Sequence, residues 1–316
     1  MVVSCGEHNE SKYSISLLIP TYNSSATLGN TLDSIRKQLF TSVEVIIIDG
    51  GSADSTLQIA SEYRDLITVI LSEPDKGIYD AINKGIGFAS GDLIGVIGSD
   101  DELCLHALES IFLAWSSCPS DIVVGQTILV SPDGTEVARV DEDYGLGALL
   151  SGIPFGHNAM FVTPHAYKKV GAYNIDYKIC ADADWVHRSI SLGCTCEQID
   201  SPIVRFGLEG LSSTNPNQIM METYLIISKN FNGLNLTDAE GLFRAVRGWS
   251  DGSDVDSVFN RYKNEPNIIK AYDEAIKSRE KRRSRNALSS QAISKPSGFI
   301  STFHRTLTKL SQLITR

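Results

Sequence analysis

Two adjacent carboxylates, Asp100 and Asp101, follow a short apolar run that is bounded by glycines. The run, residues 93–97, has the length and composition of a strand that is buried on both faces. Side chains at the carboxyl end of such a strand lie where open α/β sheets bind their ligands. Neighbouring carboxylates that both stay ionised need a cation, and oxygen ligands alone favour Mg²⁺ or Mn²⁺. The alternative is that one of the pair caps a helix that begins near Glu102.

Polar side chains also follow three other predicted strands, at residues 15–19, 43–48 and 67–71. The first strand, which we expect Pro20 to end, leads into Pro20-Thr21-Tyr22-Asn23, the second into Asp49, and the third into the loop that holds Lys76. Apolar residues at helical spacing predict helices over 28–39, 54–64 and 78–89, with Asp54 as the N-cap of the second. Strand and helix therefore alternate four times, which predicts a parallel, doubly wound α/β sheet.

The loops after these strands lack the two glycine-rich motifs that cradle phosphates. Neither GxGxxG nor GxxxxGK[ST] follows the first strand. A phosphate at this edge of the sheet would therefore be held by a metal ion and by side chains. This pattern favours a nucleotide-diphosphate site that is built on a divalent ion.

Beyond Asp101 the pattern becomes mixed. A helix over 103–115 precedes a hairpin with strands over 121–130 and 136–140. His157 lies just before an apolar strand at 159–162, and Asp182 and Asp184 lie near the start of a helix that ends at about residue 192. We expect this half to form the wall of a cleft over the parallel half.

Composition and charge exclude several classes of protein. With 42% hydrophobic and 21% charged residues, the 316-residue chain can bury a sizeable core. Of its net charge of −10, residues 277–316 carry +9 and residues 1–276 carry −19, and an acidic body argues against nucleic acid as a partner. The six cysteines lack metal-ligand spacing. Because neither a signal peptide nor a membrane span is visible, we expect a cytoplasmic protein with reduced thiols.

Several of these segments together resemble the family-2 glycosyltransferases, which are inverting enzymes of the GT-A fold. The resemblance covers residues 15–214 and is closest to members that build bacterial surface polysaccharides. It implies a Rossmann-like, mostly parallel sheet with a mixed second half, to which this chain adds a helical C-terminal extension. The matching segments are Leu18-Ile19-Pro20-Thr21-Tyr22-Asn23, residues 45–56, Asp75-Lys76-Gly77-Ile78-Tyr79-Asp80-Ala81-Ile82-Asn83-Lys84-Gly85, Gly91-Asp92, Ser99-Asp100-Asp101, His157 and the segment around Asp182.

The resemblance implies a role for each matching polar residue. Asp101 would bind Mn²⁺ or Mg²⁺, Asp182 would be the catalytic base, and the acceptor side would include His157 and Asp184. Gly50 replaces a second aspartate that contacts the nucleotide base in the family, so the choice among uracil, thymine and guanine stays open. Ala181 replaces the glutamate of the family's common Glu-Asp pair. The nucleotide would contact Pro20, Thr21, Tyr22, Asn23, Asp49, Lys76 and Asp100.

Several of these residues have an ordinary structural alternative. Tyr22 can pack against the sheet, Lys76 can be a solvated loop charge, and His157 can be a structural histidine beside a turn. Asp182 and Asp184 can each cap the helix at Trp185, and only the register of the motif favours Asp182 as the base.

The expected function is that of a metal-dependent inverting glycosyltransferase of the hexosyltransferase type. It would move a sugar from a nucleotide-diphosphate donor to a carbohydrate or lipid-linked acceptor in polysaccharide biosynthesis. The divalent ion would stabilise the leaving diphosphate, and one carboxylate would deprotonate the attacking hydroxyl. Nucleotidyl transfer is disfavoured because Pro20-Thr21-Tyr22-Asn23 is not a glycine-rich basic loop. A non-catalytic nucleotide-sugar-binding or scaffold module is the other alternative, since Gly50 and Ala181 depart from the family's pattern.

We divide the chain into a GT-A catalytic domain at 14–215, a helical extension at 216–280 and a basic amphipathic tail at 281–316. Helices are expected over 220–231 and 239–249. Apolar residues at helical spacing in 297–316 are interleaved with basic ones, which suits an anionic membrane interface. The enzyme would then lie peripherally on the inner face of the cell membrane. The alternative is that this stripe docks on the protein's own core or forms a homodimer.

Overall fold

The structure is a computed structural model that describes residues 2–4, 14–208, 215–250 and 255–292. Its strands are β1 (Val2–Ser4), β2 (Ile15–Thr21), β3 (Val43–Asp49), β4 (Val69–Ser72), β5 (Leu93–Val96), β6 (Glu102–Leu103), β7 (Ile122–Val130), β8 (Glu136–Ala138), β9 (Met160–Val162) and β10 (Cys196–Gly207). They form one sheet in the order β1-β4-β3-β2-β5-β9-β7-β10-β6, and β8 pairs with β7.

The helices follow the strands in the first half and gather at the end of the chain in the second. They are α1 (Leu28–Arg36), α2 (Thr56–Glu62), α3 (Ile78–Ile86), α4 (Ala107–Ser117), α5 (Pro164–Val170), α6 (Ala181–Ser191), α7 (Pro216–Asn230), α8 (Leu236–Arg247), α9 (Val255–Arg261) and α10 (Pro266–Ala292). Two 3₁₀ turns, Leu146–Leu150 and His157–Ala159, lie in the connections between β8 and β9.

The central strands are buried on both faces, as their apolar sequences predict. Every residue of β2 and of β5 is buried. β2 pairs in parallel with β3 and with β5, and β3 pairs in parallel with β4, so the predicted parallel sheet is confirmed. The register places Thr21 opposite Asp49 and Asp49 opposite Ser72. Polar side chains from three neighbouring strands therefore meet at the carboxyl edge of the sheet.

The second half of the sheet is mixed, as expected. β9 pairs antiparallel with both β5 and β7, and β7 forms the predicted antiparallel hairpin with β8. β10 then pairs in parallel with β7 along most of its length. This arrangement brings residues near 100, 157 and 206 to the same side of the parallel half.

Pro20 does not end the first strand, contrary to our expectation. The pairing of β2 with β5 ends at Leu18, but the pairing with β3 continues through Pro20 to Thr21. A proline lacks the N–H that one side of a ladder needs, while its carbonyl and its extended φ remain compatible with a strand. Pro20 therefore ends only one of the two ladders.

The helix predicted at 103–115 begins later, at Ala107, and neither Asp100 nor Asp101 caps a helix near residue 102. Residues 102–103 instead form β6, which pairs antiparallel with Val204 and Arg205 of β10. That partner lies about a hundred residues further along the chain, so local periodicity does not reveal the pairing.

The N-cap of α2 is Ser55, one residue after the predicted Asp54. The Asp54 carboxylate nevertheless accepts the N–H of Thr56 at 3.0 Å and that of Ser25 at 3.1 Å. It thus joins the start of α2 to the loop after β2. The other predicted helix and strand bounds lie within about one helical turn of those observed.

The chain divides into two compact units, Met1–Arg279 and Glu280–Arg316. Helices α7, α8 and α9 belong to the first unit and share an apolar cluster with Leu149 and Leu150 of the 3₁₀ turn. The division into three domains at residues 215 and 280 stays a prediction. In the described part of the chain, no helix is long and apolar enough to cross a membrane. The amphipathic stripe predicted at 297–316 lies outside the described residues.

His187 joins α6 to the helices of this apolar cluster. Its Nε2 lies 3.2 Å from the Gly152 carbonyl, and its Nδ1 lies 2.9 Å from the side-chain amide of Asn230, which also donates to the Leu149 carbonyl. These partners assign the proton to Nε2, with Nδ1 as the acceptor. Burial lowers the pKa of His187 from 6.5 to about 4. The ring is therefore neutral in the folded protein at pH 7.

We predict that His187 makes folding sensitive to acid. Because its pKa is lower in the folded than in the unfolded chain, the stabilisation is complete above pH 6.5 and is lost as the pH falls towards 4. Between pH 7 and pH 5 the contribution of His187 to the free energy of unfolding should fall by roughly 2 kcal/mol. Urea unfolding of the parent and of His187→Asn at pH 7 and at pH 5 measures this contribution to the free energy of unfolding.

The matched control is His165→Asn, since His165 is exposed. It should keep the parental pH dependence, whereas His187→Asn should be less stable at pH 7 but less sensitive to acid. An equal loss of stability between pH 7 and pH 5 in the parent and in His187→Asn would contradict this prediction.

Candidate active site

A cleft of about 330 Å³ opens at the carboxyl ends of β2 and β5. The first half of the chain contributes Pro20, Asp100 and the first turn of α3, and the second half contributes the opposite wall. Four of the predicted site residues line this cleft, namely Pro20, Asp100, His157 and Asp182. Other lining residues include Tyr79, Thr127, Arg139, Phe155, Asn158, Lys178, Ile179 and Phe206.

Asp49 holds the loop that follows β3. The residue is 1% exposed, and its Oδ2 accepts the N–H groups of Gly51 and Ser52, both at 3.1 Å, and the Ser72 hydroxyl at 2.7 Å. Its Oδ1 accepts the hydroxyls of Ser52 and Thr21. Because these bonds occupy both oxygens, the structure gives Asp49 and the buried Thr21 a part in shaping the loop. Their predicted contact with a nucleotide stays a prediction.

The loop after β2 is joined to the loop after β3 and to the end of β5. Asn23 has a left-handed backbone with φ of 50°, donates its N–H to the Ser52 hydroxyl at 2.8 Å, and accepts the Ala53 N–H on its side chain at 2.9 Å. The Ser24 and Ser99 hydroxyls lie 2.8 Å apart. Three strand ends are therefore connected into one rim.

Tyr22 projects from this rim and is 66% exposed. Its ring does not pack against the sheet, which was the structural alternative. An exposed aromatic ring beside a cleft can stack on a nucleoside base, so this contact stays a prediction.

Gly50 leaves a notch that Asp75 fills. A Cβ at position 50 would lie 2.4 Å from Asp75 Oδ2, while Asp75 Oδ1 accepts the Gly77 N–H at 2.8 Å. A second aspartate after Asp49 would therefore not fit in this arrangement, and a carboxylate from another loop lies in its place. The neighbouring Lys76 has an exposed side chain, and its contact with a phosphate stays a prediction.

Asp101 is completely buried beneath the cleft. Its Oδ1 accepts the Gly207 N–H at 3.3 Å, and its Oδ2 accepts the Gly98 N–H at 3.2 Å and the side-chain amide of Asn158. Burial, together with the charge of Asp100, nevertheless raises the pKa of Asp101 to about 7. Asp100 opens to the cleft, and partial desolvation there raises the pKa of its carboxyl as well.

This acidic pair fits a divalent cation by its chemistry. Burial raises the pKa of both carboxyls, and the charge of Asp100 raises that of Asp101 further, so a cation that binds the pair stabilises its ionised form. In the part of the chain that the structure describes, no group of three or more His, Cys, Asp or Glu side chains is placed to hold a metal. The pair would therefore share the ion with water and substrate phosphates, as Mg²⁺ sites commonly do.

Asp182 lies in the first turn of α6 and faces the cleft. Burial raises the pKa of its carboxyl, and this effect is opposed by His157, by the Ala183 N–H at 2.7 Å and by the Tyr79 hydroxyl. Burial lowers the pKa of His157, and its Nε2 lies 2.9 Å from the Tyr173 hydroxyl. A carboxylate with a raised pKa beside a neutral imidazole is suited to accept a proton.

Asp184 points away from this group. Its Oδ2 accepts the Arg188 Nε–H at 2.8 Å, and the Arg188 guanidinium donates further to the carbonyls of Val170 and Ala172. The structure therefore places Asp184 in the contact between α5 and α6. Its predicted position on the acceptor side stays a prediction, and Asp184 does not line the cleft.

Two cleft residues have roles that sequence reasoning missed. Tyr79, which is 7% exposed, donates its hydroxyl to the Ile179 carbonyl at 2.5 Å and stacks on Tyr173 at 5.7 Å. Arg139 donates to the carbonyls of Ile153 and Pro154 and pairs with Asp141. Tyr79 belongs to a segment that carried the resemblance, so it was visible as a candidate. Arg139 follows a strand of ordinary composition and offers no such signal.

The comparisons with known proteins agree with this geometry. The model of glycosyl transferase family 2 matches residues 16–173, which is half of the chain. The chain belongs to glycosyl transferase family 2. The predicted membership is thus confirmed, and the match covers the parallel strands β2 to β5 but ends before Asp182.

Curated relatives of this family 2 chain are glycosyltransferases. A PGL/p-HBAD biosynthesis glycosyltransferase of Mycobacterium bovis is 34% identical over 182 residues, which are 56% of this chain and 69% of the relative. An uncharacterized glycosyltransferase of Mycobacterium tuberculosis is 31% identical over 209 residues, which are 63% of this chain and 77% of the relative. This family 2 chain is therefore a glycosyltransferase.

Solved structures confirm the GT-A type of fold. The structure of S. aureus TarS 1-349 in complex with UDP-GlcNAc covers 83% of this chain and 81% of its own, with 18% identity and a TM-score of 0.57. The same fragment in complex with UDP covers 73% of this chain and 69% of its own, with a TM-score of 0.56. At this identity the likeness concerns the fold.

We predict that Gly98 is required for the geometry of the acidic pair in this glycosyltransferase. A Cβ at position 98 would lie 2.6 Å from Asp101 Oδ2 and 2.9 Å from Asp100 Oδ1, so Gly98→Ala must displace both carboxylates. Binding of UDP in the presence of Mn²⁺, measured by calorimetry, should weaken by at least about tenfold. The control Gly241→Ala adds a Cβ on α8 where no atom lies within 4 Å and should leave binding unchanged. Parental binding by Gly98→Ala would contradict the prediction.

Proposed function

We propose that this enzyme transfers a sugar from a nucleoside-diphosphate donor to a carbohydrate or lipid-linked acceptor, with inversion at the anomeric carbon. The observation that carries the proposal is that Asp100, which follows β5, and Asp182, in the first turn of α6, line the same cleft. One carboxylate lies on the side of the matched nucleotide-binding strands, and the other lies at the start of α6. A donor phosphate and an acceptor hydroxyl would each meet one of them.

The names of similar proteins support the two substrate classes. S. aureus TarS is described in complex with UDP and with UDP-GlcNAc, which supports a uridine diphosphate donor. The M. bovis relative is named for PGL/p-HBAD biosynthesis, which supports a role in glycolipid or polysaccharide biosynthesis. Asp75, which fills the notch at Gly50, would supply the carboxylate nearest to the base of the nucleotide.

On the donor side, the chain's own residues would hold the diphosphate near the acidic pair. Asp100 and Asp101 would bind Mn²⁺ or Mg²⁺, which supplies positive charge beside the leaving diphosphate when it is bound. The Asn158 amide and the Gly98 and Gly207 N–H groups keep the Asp101 carboxylate in place. The exposed ring of Tyr22 would stack on the nucleoside at the rim.

On the acceptor side, Asp182 would remove the proton from the attacking hydroxyl. Burial raises its pKa, which makes the ionised carboxylate a stronger base. His157, kept neutral by burial, would help to hold the acceptor in position, while the Tyr79 hydroxyl donates to the Ile179 carbonyl just before α6. With Asp100 assigned to the donor phosphates, the described cleft leaves a single carboxylate for catalysis, which favours one displacement and inversion.

The test begins with a panel of UDP-, dTDP- and GDP-sugars and octyl glycoside acceptors, with release of the nucleoside diphosphate as the measured rate. The donor and acceptor that react with the parent enzyme are then used to measure the rates of the variants. Inverted anomeric configuration of the product, determined by NMR, supports the proposal. A retained configuration would exclude the single-displacement mechanism.

We predict that Asp182→Asn lowers kcat by at least about a hundredfold, because the amide cannot accept the proton of the acceptor hydroxyl. The affinity for UDP with Mn²⁺ should stay parental. In the parent, kcat should fall as the pH falls through the pKa of Asp182, which lies above the ordinary value of 3.8. The matched control is Asp184→Asn, which should lower kcat much less because Asp184 bonds to Arg188. A collapse of kcat in Asp184→Asn alone would show that the assignment of the base is wrong.

We also predict that Asp101→Asn weakens the metal-dependent part of nucleotide binding. In the parent, replacing Mn²⁺ by a chelator should lower the affinity for UDP, because the diphosphate then lacks its cation. In Asp101→Asn the affinity should be low under both conditions. Asp65→Asn removes an exposed carboxylate that pairs with Arg36 and should behave as the parent. If Asp101→Asn and the parent bind UDP equally with Mn²⁺ and with chelator, Asp101 is not a metal ligand.

A further inference from the structure

The segment that leads into α6 is held by a carboxylate from the helices that follow the sheet. Glu222 of α7 accepts the N–H groups of Lys178 at 2.7 Å, of Ile179 at 3.0 Å and of Cys180 at 2.8 Å. Its Oε1 also accepts the side-chain amide of Gln218 at 2.7 Å. Glu222 is 3% exposed. Four donors thus converge on a carboxylate that is almost fully buried.

These bonds keep Glu222 ionised. Burial alone would raise its pKa, but the hydrogen bonds from Gln218 and from the three backbone N–H groups outweigh burial and hold the pKa below its ordinary value. Hydrogen bonds to an ionised group are roughly twice as strong as bonds between neutral groups. The segment 178–180 is therefore held more firmly than a loop of this length would be by neutral contacts.

Other residues of α7 hold the same segment. The Cys180 thiol lies 3.7 Å from the Ile219 carbonyl and 3.9 Å from the Thr223 hydroxyl. Lys229 donates to the Tyr177 hydroxyl at 2.7 Å. One face of α7 therefore contacts the chain immediately before α6, with Glu222 at its centre.

The other side of this segment faces the cleft. Lys178 and Ile179 line it, and the Ile179 carbonyl accepts the Tyr79 hydroxyl at 2.5 Å. Cys180 is the N-cap of α6 but makes no side-chain capping bond, and Asp182 follows two residues later. Because the N-cap residue contributes no side-chain bond to the start of α6, the orientation of Asp182 depends on how the preceding segment is held.

We propose that Glu222 is a positioning residue that holds Asp182 in its catalytic orientation through the 178–180 segment. This inference rests on the proposed role of Asp182 as the base. Glu222 does not line the cleft, whereas Lys178 and Ile179, whose N–H groups it accepts, do. Its removal would let the first turn of α6 shift, and a displacement of about 1 Å can lower a rate by about a hundredfold.

The test compares Glu222→Gln with the parent in the full chain. Glu222→Gln should lower kcat by at least about tenfold, while the KM for the donor and the affinity for UDP with Mn²⁺ stay within about twofold. Amide hydrogen exchange at residues 178–180 should become faster. The pH below which kcat falls should become lower. Burial is the main cause of the raised pKa of Asp182, and a more mobile side chain would be better solvated.

A double-mutant cycle shows whether Glu222 acts through Asp182. In the Asp182→Asn background, Glu222→Gln should lower kcat by less than about twofold, since the base is already absent. Glu222→Asp, which keeps the charge, should restore part of the rate. Glu240→Gln is the control, because Glu240 forms a half-buried pair with Arg244 on α8, away from the cleft lining, and should change nothing.

The outcomes separate this proposal from the proposed function. If Asp182→Asn turns over at the parental rate, the assignment of the base fails, and the exchange rates at 178–180 still report on the Glu222 contacts. If Asp182→Asn is inactive but Glu222→Gln is parental, or lowers kcat equally in both backgrounds, Glu222 does not position the base. If Glu222→Gln does not fold, Gln218→Met removes one of the four bonds and should produce a smaller loss of kcat in the same direction. A parental kcat in Gln218→Met would then overturn the proposal.

Discussion

Buried carboxylates that accept backbone N–H groups hold the loops on which the cleft depends. Asp49 orders the loop after β3, Asp101 connects the end of β5 to β10, and Glu222 holds the segment before α6. An ionised carboxylate is expensive to bury without partners, whereas several amide donors stabilise its charged form. The same bonds satisfy N–H groups that irregular loops would otherwise leave unpaired. A substitution at any of the three therefore disturbs both the side chain and the loop around it.

The pKa values of the buried carboxylates are shifted in opposite directions. This difference distinguishes a carboxylate that holds the fold from one that is suited to bind a cation. Glu222 has four donors, and its pKa is lowered in spite of burial. Asp101 has three donors, but burial and the adjacent Asp100 raise its pKa to about 7. The ionised form of Asp101 is thus only partly stabilised by its donors and gains further from a cation, whereas the charge of Glu222 is already stabilised by its donors. Glu222 on α7 is thus a carboxylate whose hydrogen bonds are complete, whereas the acidic pair at the sheet edge is suited to a ligand.

The elements that sequence reasoning predicts well are those that depend on local composition. The parallel strands follow from apolar runs, and the sites at their ends follow from the rule that parallel strands end at one edge. The strand at residues 102–103 was missed because its stability comes from pairing with β10, a partner far along the chain. Glu222 was missed for the same reason: within α7 it is one polar residue on a helix, and only the fold brings it to residues 178–180. Long-range pairing of this kind leaves no local pattern.

The position of Glu222 bears on where the catalytic unit ends. The family model covers residues 16–173, which include the parallel strands but neither Asp182 nor α7. A boundary at residue 215 would separate the proposed base from the carboxylate that holds its segment. The helices up to Arg279 also lie in the same compact unit as the sheet and bury Leu149 and Leu150, which belong to the wall-forming half. The compact unit that contains the cleft is therefore larger than the matched part of the family, because a helix that follows the sheet holds a segment that lines the cleft.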